Sequence, residues 1–183
     1  MKKLAEHLQT LGVIAVIPTD TVYGVVARAA DPDSVSRLYE LKHREGKPGT
    51  LVASSIDQLV ALGIEQDYLK VAEKFWPGAL SVIIPCGPRL AYLHEGVESL
   101  AVRIPCDPWL LELLKQTGPL LTSSANLPGN PPATTINQAK DYFGDKVTWY
   151  EDGGQVMREP STIIKIVNDS VEIVRQGAVQ INL

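Results

Sequence analysis

The sequence has few of the side chains that build metal centres and disulfide frameworks. Its 183 residues include two cysteines and three histidines, and the cysteines, Cys86 and Cys106, lie far apart. Structural zinc sites are usually built from closely spaced cysteine and histidine ligands. We therefore expect no metal site built by the protein, while the sequence leaves open whether the two cysteines form a disulfide.

The motifs of several common nucleotide-binding and hydrolytic classes are also missing. The chain contains neither GxxxxGK[ST] nor GxGxxG, the glycine-rich patterns that cradle phosphates in P-loop and dinucleotide-binding proteins. No GxSxG pattern surrounds Ser123 or Ser124, which argues against a serine hydrolase of the α/β type. A nucleotide would therefore have to be held by side chains and by loops at strand ends.

Long apolar runs and an excess of basic residues are absent as well. The formal net charge is −4, which argues against a protein that coats nucleic acids through a general basic surface. The run Val13–Ile17 is far too short to cross a membrane, and Glu6, His7 and Gln9 interrupt any apolar core of a signal peptide. We expect a cytoplasmic protein without membrane contact, folded as a single domain over residues 1–183.

The spacing of apolar residues predicts strands and helices that alternate at first, with strands that pair locally near the end. The predicted segments include a helix over 2–11, a helix from Asp31-Pro32 to about Lys42, an irregular stretch over 86–96, and a hairpin of residues 162–167 and 171–174. Alternating helices and strands followed by local strand pairs are typical of a mixed sheet. The predicted fold class is therefore α/β, with a twisted mixed β-sheet flanked by helices.

A row of polar residues follows the apolar strand Val13–Ile17. It reads Pro18-Thr19-Asp20-Thr21-Val22-Tyr23-Gly24. Proline ends the ladder of strand hydrogen bonds because it has no N–H. Polar strand ends are where α/β sheets usually bind ligands, although a turn that caps itself through side-chain bonds to its own backbone explains the same residues.

Two further pairs of polar residues stand at the ends of predicted elements. Lys42 and Arg44 lie at the end of the second predicted helix, and both side chains suit phosphate oxygens. Attraction of cations to the negative end of the helix dipole is the alternative explanation. Ser124 and Asn126 follow a short strand and offer hydrogen bonds to phosphates or sugars, or else form an Asx turn.

Together these three motifs resemble the YrdC-like family, the TsaC-type threonylcarbamoyl-AMP synthases. The family carries a Pro-Thr-Asp/Glu-Thr-x-Tyr-Gly-like turn, a Lys-x-Arg pair and a Ser-x-Asn pair in this order, as do Pro18–Gly24, Lys42/Arg44 and Ser124/Asn126. The resemblance implies an α/β sheet curled around one large concave basic pocket. It also implies a nucleotidyltransferase that makes threonylcarbamoyl-AMP and pyrophosphate from L-threonine, bicarbonate or CO₂, and ATP, for the t6A37 modification of tRNA.

The resemblance also assigns roles to individual residues. Lys42 and Arg44 are the implied catalytic residues. The implied ATP-binding residues are Lys42, Arg44, Ser124, Asn126 and Arg175. The implied threonine-binding residues are Thr19, Thr21, Tyr23, Arg103 and Ser161. By sequence alone, Ser161 and Arg175 are ordinary strand residues.

Arg103 carries a physical argument of its own. It lies within the apolar strand Ser99–Ile104, where a lone cation needs an anionic partner or a wet pocket. The family resemblance includes a Val-Arg-x-Pro-like segment here whose arginine lies near the amino-acid substrate, and it thereby implies that Arg103 binds the carboxylate of that amino acid. A structural ion pair is the alternative.

The resemblance implies partners as well as substrates. Mg²⁺ is expected to arrive with ATP, and the product is expected to pass to the tRNA threonylcarbamoyl transferase machinery. Two alternatives stay open: a module of the same fold that binds double-stranded RNA or tRNA, and a paralogue without threonine-specific synthesis. Salt-dependent RNA binding without ATP turnover would favour the first of these.

Overall fold

The computed structural model describes residues 1–43, 46–167 and 170–181. Within these ranges, nine strands form one mixed sheet in the order β7-β1-β2-β6-β3-β5-β4-β8-β9. The strands are β1 Ile14–Ile17, β2 Gly24–Arg28, β3 Thr50–Val52, β4 Leu80–Pro85, β5 Ser99–Arg103, β6 Leu120–Ser124, β7 Trp149–Tyr150, β8 Thr162–Val167 and β9 Ser170–Arg175. The pairs β1/β7, β3/β5 and β4/β8 are parallel and the remaining pairs are antiparallel.

Helices lie on both faces of this sheet, which confirms the predicted fold class. They are α1 Lys2–Leu8, α2 Pro32–Lys42, α3 Ile56–Leu62, α4 Gln66–Ala72, α5 Ala91–His94, α6 Pro108–Thr117 and α7 Ile136–Phe143. The predicted pairing of residues 162–167 with 171–174 is confirmed as the antiparallel pair β8/β9. None of the described helices is both long and apolar enough to cross a bilayer.

The alternation of side chains along each strand decides where the core lies and where a cavity is left. Successive residues of a strand point to opposite faces. On one face, Leu51, Val82 and Val102 pack into the larger hydrophobic cluster with residues of α2, α3, α4, α5 and α7. The opposite face is covered by α1 and α6 over only part of its width. The remaining part of that face is the floor of a cavity.

Helix α2 begins where the sequence predicted, because Asp31 caps it with hydrogen bonds on both carboxylate oxygens. Oδ1 accepts from the Asp33 N–H at 3.2 Å. Oδ2 accepts from the Ser34 hydroxyl at 2.5 Å and from the Gly12 N–H at 2.8 Å. Pro32 occupies the first helical position, where its missing N–H has no cost. The cap therefore ties α2 to the turn that precedes β1.

Replacing Asp31 by alanine should lower the free energy of unfolding by about 1–2 kcal/mol, the usual cost of losing an N-cap.

Burial acts to raise the pKa of Asp31, but its hydrogen bonds outweigh burial and hold the pKa below its ordinary value. The stabilisation is therefore present above the ordinary pKa and is lost as the pH falls through the lowered one. Urea unfolding between neutral and acidic pH measures both effects. Asp33→Asn, at an exposed position two residues away, is the control. Equal stability of Asp31→Ala and wild type would contradict the prediction.

Two predicted segments were wrong in detail. The first helix ends at Leu8 instead of residue 11, and Leu11 is 69% exposed. The chain leaves the helix early because the Gly12 N–H bonds to Asp31, which draws this segment towards α2. Residues 86–96 are not wholly irregular, since a 3₁₀ turn and α5 bury Leu90 and Leu93.

The structure answers the question that the sequence left open about the two cysteines. Both are free thiols, Cys86 buried and Cys106 exposed. Burial raises the pKa of the Cys86 thiol, which disfavours the reactive thiolate.

Candidate active site

A cavity of about 710 Å³ lies on the uncovered part of the sheet. Six of the residues predicted for the site line it: Thr19, Thr21, Arg103, Ser124, Ser161 and Arg175. A groove of about 740 Å³ between α2 and α5 is slightly larger. None of the ten predicted site residues is among the described residues that line this groove. We therefore take the cavity on the sheet as the candidate active site.

The turn after β1 is rigid, and its threonines meet the cavity. The Thr19 hydroxyl donates to the Val22 carbonyl at 2.6 Å and accepts from the Thr21 N–H at 3.2 Å. The two threonine hydroxyls lie 3.1 Å apart. The self-capping turn and the cavity wall are thus the same structure. A substrate would meet hydroxyl groups that are already fixed in place.

Tyr23 lies elsewhere. Its side chain is fully buried in the larger hydrophobic cluster, and the described lining of the cavity does not include it. Its hydroxyl donates to the Gly154 carbonyl at 2.8 Å and accepts from the Gly153 N–H at 2.9 Å. Its neighbours Val22 and Gly24 line the cavity instead. These two bonds tie Tyr23 to the 152–154 turn, and its implied contact with threonine stays a prediction.

Lys42 joins two of the sequence motifs directly. Its side chain is buried, and its ammonium donates to the Ser124 carbonyl at 2.7 Å, to Asn126 Oδ1 at 3.1 Å and to the Asn126 carbonyl. The ammonium thus donates to oxygens of both residues of the Ser-x-Asn pair. Lys42 therefore makes specific contacts beyond the attraction to the helix dipole that was the alternative explanation. The lysine holds the Ser-x-Asn loop against the end of α2.

The Ser-x-Asn loop is braced by its own side chains as well. The Ser124 hydroxyl donates to Asn126 Oδ1 at 2.6 Å, and the Asn126 amide donates to the Asn130 carbonyl at 2.8 Å. Ser124 lines the cavity, whereas Asn126 is absent from its described lining. Arg44 lies outside the described residues, so its implied roles in catalysis and ATP binding stay predictions.

Arg103 makes the ion pair that the sequence left as an alternative, and it also lines the cavity. Its Nη2 donates to Asp20 Oδ1 at 2.9 Å, and the two side chains are 3% and 4% exposed. Burial raises the pKa of the Asp20 carboxyl, and the charge of Arg103 opposes that shift. The expected contact with a substrate carboxylate stays a prediction.

Ser161 and Arg175 meet at the far wall of the cavity. Arg175 Nη2 donates to the Ser161 carbonyl at 2.7 Å and to the Ser161 hydroxyl at 3.2 Å. The Ser161 hydroxyl also lies 3.2 Å from that of Ser81 on β4. Arg175 is exposed on the last strand, so it presents a positive charge at the mouth of the cavity.

Sequence reasoning missed the small residues of the cavity floor. Thr50, Ser99, Ala101 and Thr122 line it together with the motif residues. The signal that could have found them is the alternation of small or polar residues with large apolar ones, as in Ser99-Leu100-Ala101-Val102-Arg103. Such alternation indicates a strand whose second face is not packed against a hydrophobic layer.

Gly177 packs closely against the backbone of Pro160 and Ser161. A β-carbon at Gly177 would lie 2.2 Å from the Pro160 carbonyl oxygen. Because that neighbour is backbone, Gly177→Ala should lower the free energy of unfolding by about 1–3 kcal/mol in urea titrations. Gly87→Ala is the matched control, since its β-carbon would meet no atom within 4 Å. An unchanged unfolding midpoint for Gly177→Ala would show that this corner is not tightly packed.

The described residues contain no group of three or more histidine, cysteine, aspartate or glutamate side chains placed to hold a metal ion. The described lining of the cavity instead presents hydroxyls and cations. This donor set suits an anionic ligand with several oxygen atoms. A nucleotide phosphate or an amino-acid carboxylate is such a ligand.

Residues 7–177 match the Sua5/YciO/YrdC family, whose description reads telomere recombination. A Vibrio campbellii protein named threonylcarbamoyl-AMP synthase is 31% identical over 183 residues, covering 96% of this chain and 98% of that protein. A Bacillus subtilis protein of the same name is 32% identical over 173 residues, covering 91% of this chain and 50% of that protein.

The crystal structure of Pyrococcus abyssi Sua5 complexed with L-threonine superimposes with a TM-score of 0.83 and 28% identity, over 96% of this chain and 54% of that one. The chain thus spans about half the length of the Bacillus and Pyrococcus proteins. It spans nearly all of the Vibrio protein. The chain belongs to the Sua5/YciO/YrdC family.

Proposed function

We propose that this chain is an L-threonylcarbamoyl-AMP synthase that acts as a single domain over residues 1–183 in the cytoplasm. The observation that carries the proposal is the contact of Lys42 with Asn126 and with Ser124, the one of these three residues in the described lining of the cavity. This contact unites the two motifs expected to bind ATP across 82 residues of sequence. The relatives named threonylcarbamoyl-AMP synthase and the P. abyssi complex with L-threonine support the reaction and the substrate.

The proposed reaction needs a pocket that positions two anions and stabilises developing charge. The threonine amine captures CO₂ as a carbamate and loses a proton. A carbamate oxygen then attacks the α-phosphorus of ATP, a new P–O bond forms, and the bond to pyrophosphate breaks. Fixed donors and cations around the phosphates lower this barrier electrostatically and by orientation.

Each end of the cavity suits one substrate. We assign the phosphates to the end of the cavity at Ser124, where Lys42 and Asn126 brace the loop, with Arg44 and Arg175 as further cations. We assign the threonine carboxylate to Arg103, and its hydroxyl or amine to Thr19, Thr21 and Ser161. Mg²⁺ would be carried by the phosphate oxygens, because the described residues offer no carboxylate cluster for it.

The product would pass to the tRNA threonylcarbamoyl transferase machinery. A mixed anhydride of a carbamate and a phosphate hydrolyses readily, so prompt transfer to an acceptor is chemically reasonable.

The decisive test is pyrophosphate release from ATP, with and without L-threonine and with and without bicarbonate. We expect release that requires both, and less release when serine replaces threonine. Protein shown to be folded by circular dichroism that releases no threonine-dependent pyrophosphate would overturn the proposal. Salt-sensitive binding of double-stranded RNA by that same protein would then favour the RNA-binding alternative.

A further inference from the structure

Asp20 is a buried acid to which the chemistry above assigns no task. It lies in the middle of the turn Pro18–Gly24, and its side chain is 4% exposed. Its Oδ1 accepts from Nη2 of Arg103, which comes from β5, 83 residues later in the chain. Two charges removed from water cost free energy unless each is well paired. The presence of this pair beside the cavity therefore calls for an explanation.

The described hydrogen bond between Asp20 and Arg103 uses only one of the two carboxylate oxygens. Asp20 Oδ2 and Arg103 Nε are both buried, and neither has a hydrogen-bond partner among the described residues. Arginine–carboxylate pairs frequently meet through two parallel hydrogen bonds. Among the described residues, a single hydrogen bond, to Asp20, holds this guanidinium, which has five N–H donors. Asp20 therefore leaves part of the guanidinium available to another acceptor.

The two residues occupy different positions relative to the cavity. Arg103 lines it, whereas Asp20 is absent from its described lining and stands behind Arg103. The backbone of Asp20 is held in turn, because Arg158 Nη1 lies 3.4 Å from its carbonyl oxygen in hydrogen-bonding geometry. Arg103 thus lies between Asp20 and the cavity that would hold the ligand.

We propose that Asp20 is a positioning residue that orients Arg103 for the carboxylate of the amino-acid substrate. The inference rests on the proposed function and deepens it. A guanidinium held along one edge presents its other donors in a fixed plane, which matches a planar carboxylate. Because the opposite charges of Asp20 and Arg103 cancel, this end of the cavity also suits a zwitterionic amino acid.

The first test is Asp20→Asn, which keeps the shape of the side chain and removes its charge. We expect KM for L-threonine to rise about tenfold, the effect of one charge-assisted hydrogen bond, with KM for ATP nearly unchanged. Asp107→Asn is the matched control, because Asp107 also acts electrostatically on Asp20 and an asparagine still caps α6. A threonine KM equal to wild type, or an equal rise in KM for ATP, would overturn the proposal.

A second measurement separates positioning from a structural role. In an Arg103→Gln background, Asp20→Asn should cause no further loss of threonine affinity, because the guanidinium that it orients is gone. Calorimetric titration of L-threonine measures this without turnover. Additive losses in the double variant would contradict the inference. If wild type binds threonine but releases no threonine-dependent pyrophosphate, the proposed reaction fails while the role of Asp20 is still decided by these titrations.

The pH dependence supplies a third readout. The charged groups that act on Asp20 are Arg103 on β5, Asp107 at the start of α6 and Arg158 before β8, and burial raises its pKa. Protonation of Asp20 at falling pH should loosen Arg103, so the ratio of threonine KM between Asp20→Asn and wild type should fall towards one in acid. The ratio cancels the titration of threonine itself. A ratio that is constant with pH would count against the charge of Asp20 as the orienting group.

Discussion

Replacing Arg103 by alanine should cause the largest loss of stability among the variants considered, about 3–5 kcal/mol of the free energy of unfolding. The reason is that Asp20 would be left buried with its charge uncompensated. The same variant should raise the threonine requirement more than the ATP requirement. Urea unfolding measures the first effect, and pyrophosphate release at varied threonine and ATP measures the second.

The stability loss in Arg103→Ala should depend on pH in a defined direction. Because burial raises the pKa of Asp20, the native state binds a proton more readily than the unfolded state between the ordinary and the raised value. Stability therefore falls as pH rises through that window and is regained on acidification. Adding Asp20→Asn should recover part of the loss at neutral pH. Arg89→Ala, at an exposed position, is the control.

If Arg103→Ala has the same free energy of unfolding as the wild type, the Asp20–Arg103 pair is not desolvated in solution. An ATP requirement raised more than the threonine requirement would refute the carboxylate role of Arg103.

Lys42→Ala should lower threonine-dependent turnover at least tenfold, on the scale of one lost charge-stabilising contact. In the structure, this loss acts through the Ser-x-Asn loop. Removing the ammonium leaves the carbonyls of Ser124 and Asn126 and the Asn126 Oδ1 without their shared donor. The loop that is expected to meet the phosphates would then lose its fixed position. Initial rates at saturating ATP and threonine measure the effect.

Lys70→Ala is the matched control for Lys42→Ala, because Lys70 is an exposed helical lysine that pairs only with Asp67 at 2.8 Å among the described contacts. It should retain the wild-type rate. Urea unfolding of both variants separates a misplaced loop from a misfolded chain. A wild-type rate in Lys42→Ala would show that Lys42 does not contribute to turnover.

Local patterns in the sequence predicted the parts that neighbouring residues control. Asp31 and Pro32 predicted the start of α2 because capping acts within one turn of the chain. The family resemblance indicated the candidate site residues without any information on their contacts. In these respects, the chemistry of adjacent residues was sufficient.

Contacts between distant residues could not be predicted in this way. The pairing of Asp20 with Arg103 and of Lys42 with the Ser-x-Asn loop depends on strand order, in which β6 lies between β2 and β3. The burial of Tyr23 depends on which face of the sheet the helices cover. Strand order and layer packing arise from burying the whole apolar surface together, which no short segment encodes. The sequence by itself therefore indicated which residue types matter, whereas the folded sheet determined which residues they contact.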